Sequence, residues 1–212
     1  PDFEHSSCGV GFIADLHGRA THQIVERGFE IVNRMNHRGA VGSDPKTGDG
    51  AGILIHIPHE FFAAESLGGA CAGGKSFELP APGKYAVGMV FLPQSPTDRQ
   101  FAEGVIEQVC EEEKLVFLGW RVVPTNNGGI GQIAIDMEPR IRQIFVRPVD
   151  DCDQDEFEIR LFRARLRVPR RIKAERPAAY THYYMCSLST RTIVYKGMLL
   201  SPQLCDYFPD LL

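Results

Sequence analysis

Cys8 stands at the head of the run Cys8-Gly9-Val10-Gly11-Phe12-Ile13, behind seven residues. A thiol in this place has one distinctive chemistry open to it. Hydrolysis of the Ser7–Cys8 peptide bond would leave Cys8 with a free α-amine of ordinary pKa ~7.7–8.0, a base beside the nucleophile that needs no second side chain. With Ser7 attached, the same nitrogen is an amide and cannot take a proton. The competing role is a small buried hydrophobe, since free cysteine is among the most buried residue types. Position alone favours that blander role, so the decision rests on the rest of the chain.

The second chemically suggestive segment is Asn36-His37-Arg38-Gly39-Ala40, which leads to Thr47-Gly48-Asp49-Gly50-Ala51-Gly52. Five glycines between positions 39 and 52 let backbone approach a ligand closely. The segment lacks the lysine of a phosphate-binding loop and the strand–turn–helix setting of a dinucleotide fingerprint, so phosphate cradling has no support. Arg38 closes an amphipathic helix, where a cation also favours the helix dipole. Asp49 is placed to hold the loop by accepting backbone hydrogen bonds, a structural role as much as a binding one.

The elements that must carry these residues read as follows. Residues 8–14 are apolar and glycine-containing, as in a buried strand. Thr21 caps a helix to about Asn36, with Ile24, Gly28, Ile31 and Met35 on one stripe. Residues 51–57 form a strand with Ile53, Ile55 and Ile57 alternating, and the glycine-rich residues 67–83 form a surface loop. Residues 85–92 are apolar on both faces, as a central strand would be. Phe101, Val105 and Val109 mark a helix, residues 115–123 and 143–147 are strands, and a helix runs over 154–167. Residues 182–188 and 191–196 resemble a hairpin turning at Ser189-Thr190. No internal repeat and no dividing linker is visible, so the fold class is α+β in layers.

Composition excludes several classes. The 212 residues are 43% hydrophobic and 24% charged, with a net charge of -4, which argues against nucleic acid and anionic membrane as partners. No apolar run approaches the ~20 residues of a membrane span, and the start lacks a basic n-region. The six cysteines, at 8, 71, 110, 152, 186 and 205, form no Cys-x-x-Cys and no zinc-finger spacing, so no metal site and no disulfide framework is expected. Reduced thiols imply the cytoplasm, or a plastid in a plant. The charge-dense stretch, with six acids in residues 150–158 and eight basic residues in 160–176, reads as a solvated, ion-paired helix without chemistry.

The motifs taken together carry a resemblance. Cys8-Gly-Val-Gly-Phe, His37-Arg38-Gly39-Ala40 and Thr47-Gly48-Asp49-Gly50-Ala51-Gly52 resemble the glutaminase domain of the glutamate synthase large subunit. That domain is a class II glutamine amidotransferase, an N-terminal-nucleophile (Ntn) hydrolase. The segments beginning at Tyr85, Leu118, Gln143 and Cys186 are similar to the same domain, in order, over the whole chain. The resemblance implies a four-layer αββα Ntn sandwich, here incomplete, with residues 1–7 a removable leader and 8–212 a C-terminally truncated amidotransferase domain.

It further implies that the Cys8 thiolate attacks the side-chain amide of glutamine, forms a thioester and releases ammonia, after which water releases glutamate. Arg38 supports the nucleophile, Gly39 admits backbone close to it, and Asp49 belongs to the same substrate-binding region. The family's oxyanion-hole Asn-Gly and carboxylate-gripping Arg-Phe-Ser-Thr runs are expected beyond Leu212. Asn126-Asn127-Gly128-Gly129 belongs to a different loop by its flanks. Losing one oxyanion donor costs ~10²–10³ in rate, so these residues alone are expected to be nearly inactive. The resemblance implies no cofactor in this fragment. It implies FMN and an iron–sulfur cluster in the full enzyme, where ammonia meets 2-oxoglutarate. The implied partners are glutamine, a synthase domain of the same polypeptide, and an electron-donating small subunit or ferredoxin. Two other readings fit the same thiol: an Ntn acylase of different specificity, or an unprocessed non-catalytic module.

Overall fold

A computed structural model describes residues 8–68 and 76–212, so the leader and part of the glycine-rich loop lie outside the described residues. The molecule is a mixed α/β protein with antiparallel pairing. It divides into two compact units, each assembled from separated stretches of chain.

The larger unit comprises His56–Val123 and Pro139–Val194. Its sheet has the order β3-β4-β2-β5, from β2 (Ala86–Leu92), β3 (Leu115–Val122), β4 (Arg140–Pro148) and β5 (Tyr184–Ser189). β2 is interior, with Ala86↔Val146 and Leu92↔Arg140 in register on one side and β5 on the other. This is why its run is apolar on both faces. One face packs under α3 (Pro96–Glu112) and α5 (Gln154–Glu175). Their stripes Ala102, Val105, Ile106, Val109 and Phe157, Leu161, Ala164, Val168, Ile172 close a core with Ala86, Val90, Ile144 and Val146. The fully buried valine, leucine and isoleucine side chains of that core contribute roughly 1.5–3 kcal/mol each through apolar burial. The other face holds Phe145, with Phe62 of α2 (His59–Leu67) edge-on to it at 5.3 Å between ring centroids.

Buried on this second face is Arg121, which donates from Nε and Nη2 to Glu65 Oε2 (3.0 and 2.6 Å) and from Nη1 to Gln143 Oε1 (3.0 Å). Its guanidinium carbon lies 5.1 Å from the centroid of the Phe61 ring. Arg121 opposes Gln143 across β3 and β4, so the register itself delivers the pair.

α5 runs past the expected end at residue 167 and through Pro169 to Glu175. The missing N–H of Pro169 is outweighed because Val168 and Ile172 are buried on the core face. Arg171 also pairs with Glu112 of α3 (2.6 Å). Arg167 pairs with Glu112 and Glu113, and Arg160 with Asp150 and Glu156. The charge-dense stretch is therefore an ion-paired helix, as its sequence suggests.

The expected hairpin is different in the structure. β5 pairs with β2, whereas β6 (Thr192–Gly197) pairs with β1 (Ala51–His56) in a separate two-stranded sheet. At the turn between β5 and β6, Glu158 Oε1 accepts from Ser189 Oγ (2.9 Å), Thr190 N (2.8 Å) and Thr190 Oγ1 (2.6 Å). The turn is tied to α5, and the two strands enter different sheets.

The smaller unit comprises the described part of Pro1–Ile55 with Pro124–Glu138 and Tyr195–Leu212. It holds α1 (His22–Arg34), a short turn of 3-10 helix at Asn36–Arg38, α4 (Gln132–Asp136) and a short helix at Gln203–Tyr207. Thr21 occupies the N-cap position of α1 without a side-chain cap hydrogen bond. Phe208 meets Tyr195 and Tyr207 in T-shaped contacts at 5.2 and 4.7 Å between ring centroids, forming an aromatic cluster. No helix among the described residues is long and apolar enough to cross a membrane.

Candidate active site

Cys8 is exposed, and residues 8–14 form neither helix nor strand. The expected buried strand is thus absent, although its alternation survives. Gly9 and Gly11 face α1, where a Cβ would meet Met35 Sδ at 3.0 Å and Ile31 Cγ2 at 2.4 Å, while Val10 and Phe12 are 88% and 92% exposed. A strand requires hydrogen-bonded neighbours, and no described strand pairs with this segment. Two glycines instead let the backbone lie directly on the helix.

The 3-10 turn after α1 presents Arg38 to the same segment. Arg38 Nη2 donates to the Cys8 carbonyl at 3.5 Å, a long bond. Its Cβ and Cγ stand 3.4 Å from where a Gly9 side chain would begin. His37 Nδ1 lies 3.0 Å from the Arg34 carbonyl, which can only accept, so Nδ1 carries the proton. Gly39 is extended, and a Cβ there would sit 3.4 Å from Asp49 Oδ1. The structure therefore joins Cys8 to Arg38 and Gly39 to Asp49, at neighbouring points of one chain turn.

Asp49 does not hold the loop as the sequence suggested. It is exposed, and its backbone N–H donates to the Ala40 carbonyl at 3.1 Å. The carboxylate that takes the loop's hydrogen bonds is Asp44, which accepts from Lys46 N (3.0 Å), Thr47 Oγ1 (3.0 Å) and Ile133 N (3.4 Å). The Lys46 amide, more than any other donor, holds this carboxyl below the usual carboxylate range, with Thr47, Ile133 and Gln132 assisting against partial desolvation. Asp44-Pro45-Lys46-Thr47 carried a usable signal, an Asp three residues before a Thr in a turn-rich run.

Against the glycine-rich loop stands the Asn126 segment. Asn126 Oδ1 accepts from Gly128 N (3.2 Å), and Asn127 Nδ2 donates to Glu138 Oε2 (2.9 Å). Tyr207 also donates to Glu138 Oε1 at 2.8 Å, and burial together with that carboxylate raises the phenol's pKa strongly. Asn126 is thus engaged within its own loop, and Asn127 with Glu138 just beyond α4. Among the described residues, no group of three or more His, Cys, Asp or Glu side chains is placed to hold a metal ion.

An exposed cysteine thus heads an extended segment whose first carbonyl Arg38 touches. A family model for the class-II glutamine amidotransferases matches residues 8–212, and the chain belongs to that family. The match begins at Cys8. Among relatives, the chain is 41% identical to the glutamate synthase [NADPH] large chain of Bacillus subtilis, over all of this chain and 13% of that protein. It is 39% identical to the glutamate synthase [NADH] of Saccharomyces cerevisiae, over all of this chain and 10% of that protein. To the chloroplastic ferredoxin-dependent glutamate synthase 2 of Arabidopsis thaliana it is 41% identical, over 98% of this chain and 12% of that protein. The chain thus spans 10–13% of the length of these relatives.

Proposed function

We propose that this chain carries the glutaminase half-reaction of a glutamate synthase, with Cys8 as nucleophile. The observation that carries the reading is the coincidence of an exposed Cys8 held by Arg38 with the first residue of the amidotransferase match. After loss of residues 1–7, the α-amine of Cys8 takes the Sγ proton. The thiolate attacks the side-chain carbonyl carbon of glutamine, and the tetrahedral adduct collapses as the amine returns the proton to the departing ammonia. Water then attacks the thioester, giving glutamate and the free thiol. Arg38 fixes the Cys8 carbonyl and thereby the direction of Sγ, while Gly39 and Asp49 line the glutamine side. Membership of the amidotransferases favours glutamine over the acyl amides of an Ntn acylase.

On this reading the fold is that of a four-layer αββα Ntn sandwich. FMN and an iron–sulfur cluster belong to the synthase part of the polypeptide. The described residues of this chain offer no cysteine set that fits such a cluster. The ammonia passes to that synthase domain, with a small subunit or ferredoxin supplying electrons, in the cytoplasm or a plastid.

The test is mass analysis of the purified, active protein together with ammonia release from glutamine. The expected result is an N-terminus at Cys8 and loss of activity in Cys8→Ala. Full glutaminase activity with Ser7 still attached refutes the mechanism.

A further inference from the structure

We infer that Asp44, Thr47 and Gln203 are positioning residues that latch the glycine-rich loop into the shape that glutamine meets. The inference rests on the glutaminase reading above and adds residues to its site. The loop folds back on itself through Gly42 N to Thr47 O (3.2 Å), Asp49 N to Ala40 O (3.1 Å) and a Val41↔Gly48 bridge. Its tip is exposed and its glycines have the largest conformational freedom to lose, so these few bonds leave it poorly determined.

The missing determination comes from a distant part of the chain. Gly131 N donates to Lys46 O (3.0 Å), and Ile133 N donates to Asp44 Oδ2. Gln203 Nε2 donates to both Lys46 O and Gly129 O (3.0 Å each), while its Oε1 accepts from Leu200 N (2.7 Å), which fixes which way the amide points. Thr47 is buried and gives its hydroxyl proton to Asp44. The fit leaves no slack: a Cβ on Gly131 would stand 2.1 Å from Asp44 Oδ2 and 2.3 Å from Thr47 Oγ1.

The other end of this clamped loop is Gly39 with Asp49, directly after Arg38. A shift at Asp44 is therefore carried through two short backbone ladders to the residues that face substrate. It also gives the backbone of residues 129–133 a use: it is the anvil on which the loop is held.

The experiment uses the intact, processed polypeptide and compares Asp44→Ala, Thr47→Val and Thr47→Ser. The readouts are glutamine kinetics and hydrogen exchange at the Gly42 and Asp49 amides. Asp44→Ala and Thr47→Val are expected to raise KM by about tenfold or more with kcat little changed, and to speed both exchanges by about tenfold or more. Thr47→Ser keeps the hydroxyl and is expected to stay within about threefold of the unsubstituted protein on every readout. KM unchanged in both Asp44→Ala and Thr47→Val overturns the inference. So does an equal loss in Thr47→Val and Thr47→Ser, and this pair decides if Asp44→Ala fails to fold. If the unsubstituted protein releases no ammonia, the glutaminase reading fails by itself. The latch then stands if exchange quickens in Thr47→Val but not in Thr47→Ser, and falls if it does not.

Discussion

Gly11→Ala isolates how closely the nucleophile's position depends on α1. The new Cβ would sit 2.4 Å from Ile31 Cγ2, against an ordinary contact of 3.4 Å or more, so the segment must move by about 1 Å. Ile31 is β-branched and stiff at χ1, so it is the exposed segment that yields. Little burial is lost as it lifts, because Val10 and Phe12 already face solvent. The stability cost is therefore expected to stay below ~1 kcal/mol. Catalysis is far less tolerant, since a misplacement of ~1 Å at reacting groups can cost ~10²-fold. In the processed protein, kcat/KM for glutamine is expected to fall by about that factor while the urea midpoint barely moves. Ile31→Ala removes Cγ2, and the double variant Gly11→Ala/Ile31→Ala should recover most of the loss. Retention of more than about half the activity by Gly11→Ala, or no recovery in the double variant, refutes the reasoning.

Arg38→Ala removes an exposed side chain with one long hydrogen bond to Cys8, so stability should change by less than ~0.5 kcal/mol while glutamine turnover falls by about tenfold or more. A variant that keeps its turnover removes Arg38 from the site. Arg121→Met breaks a buried ion pair by removing one partner and is expected to cost about 3 kcal/mol in denaturant unfolding. Arg121→Met/Glu65→Met replaces the pair with apolar groups and should restore all but ~1 kcal/mol, and equal losses in both variants would be the contrary result. Asp44 titrates lower in the folded protein than its usual 3.8, so its contribution is present above that pH and lost as pH falls through the lower folded value. Melting followed from pH 5 down to about pH 2 should be less steep in Asp44→Asn than in the unsubstituted chain, and parallel curves would contradict the assignment.

What could be read from sequence was what depended on one element at a time. β2 announced itself because an interior strand is apolar on both faces, and α3 and the first four turns of α5 because their stripes repeat at helical spacing. Pro169 concealed the rest of α5, whose continuation depends on Val168 and Ile172 reaching the core. Residues 8–14 have strand-like alternation, but pairing is a property of neighbours, and their glycines serve to approach α1. The β5–β6 turn looked like a hairpin because the signal is local, whereas the sheet each strand joins is not. At the candidate site, type and spacing singled out Cys8, Arg38, Gly39 and Asp49, and the structure sets Arg38 against Cys8 and Gly39 beside Asp49. Asp44 left a local signal in its bonds to Lys46 and Thr47, whereas its partners at Gln132 and Ile133 lie far along the chain and left none.

The distance between those partners bears on how the protein is made. The Gln203–Lys46 contact closes a sequence separation of 157 residues, and the smaller unit draws on three stretches of chain reaching Leu212. The larger unit's segments end at Val194, so its sheet and helices can condense while the remaining chain is still leaving the ribosome. Long-range contacts form late and slowly because loop closure precedes any gain from them. The glycine-rich loop is made before the residues that clamp it, Gly129 to Gln203, and so is shaped only after they too have been made. On the proposed mechanism, cleavage before Cys8 that depended on this shaped loop would be deferred until the domain had assembled, so that during synthesis the Cys8 nitrogen stays an amide that cannot take the thiol proton.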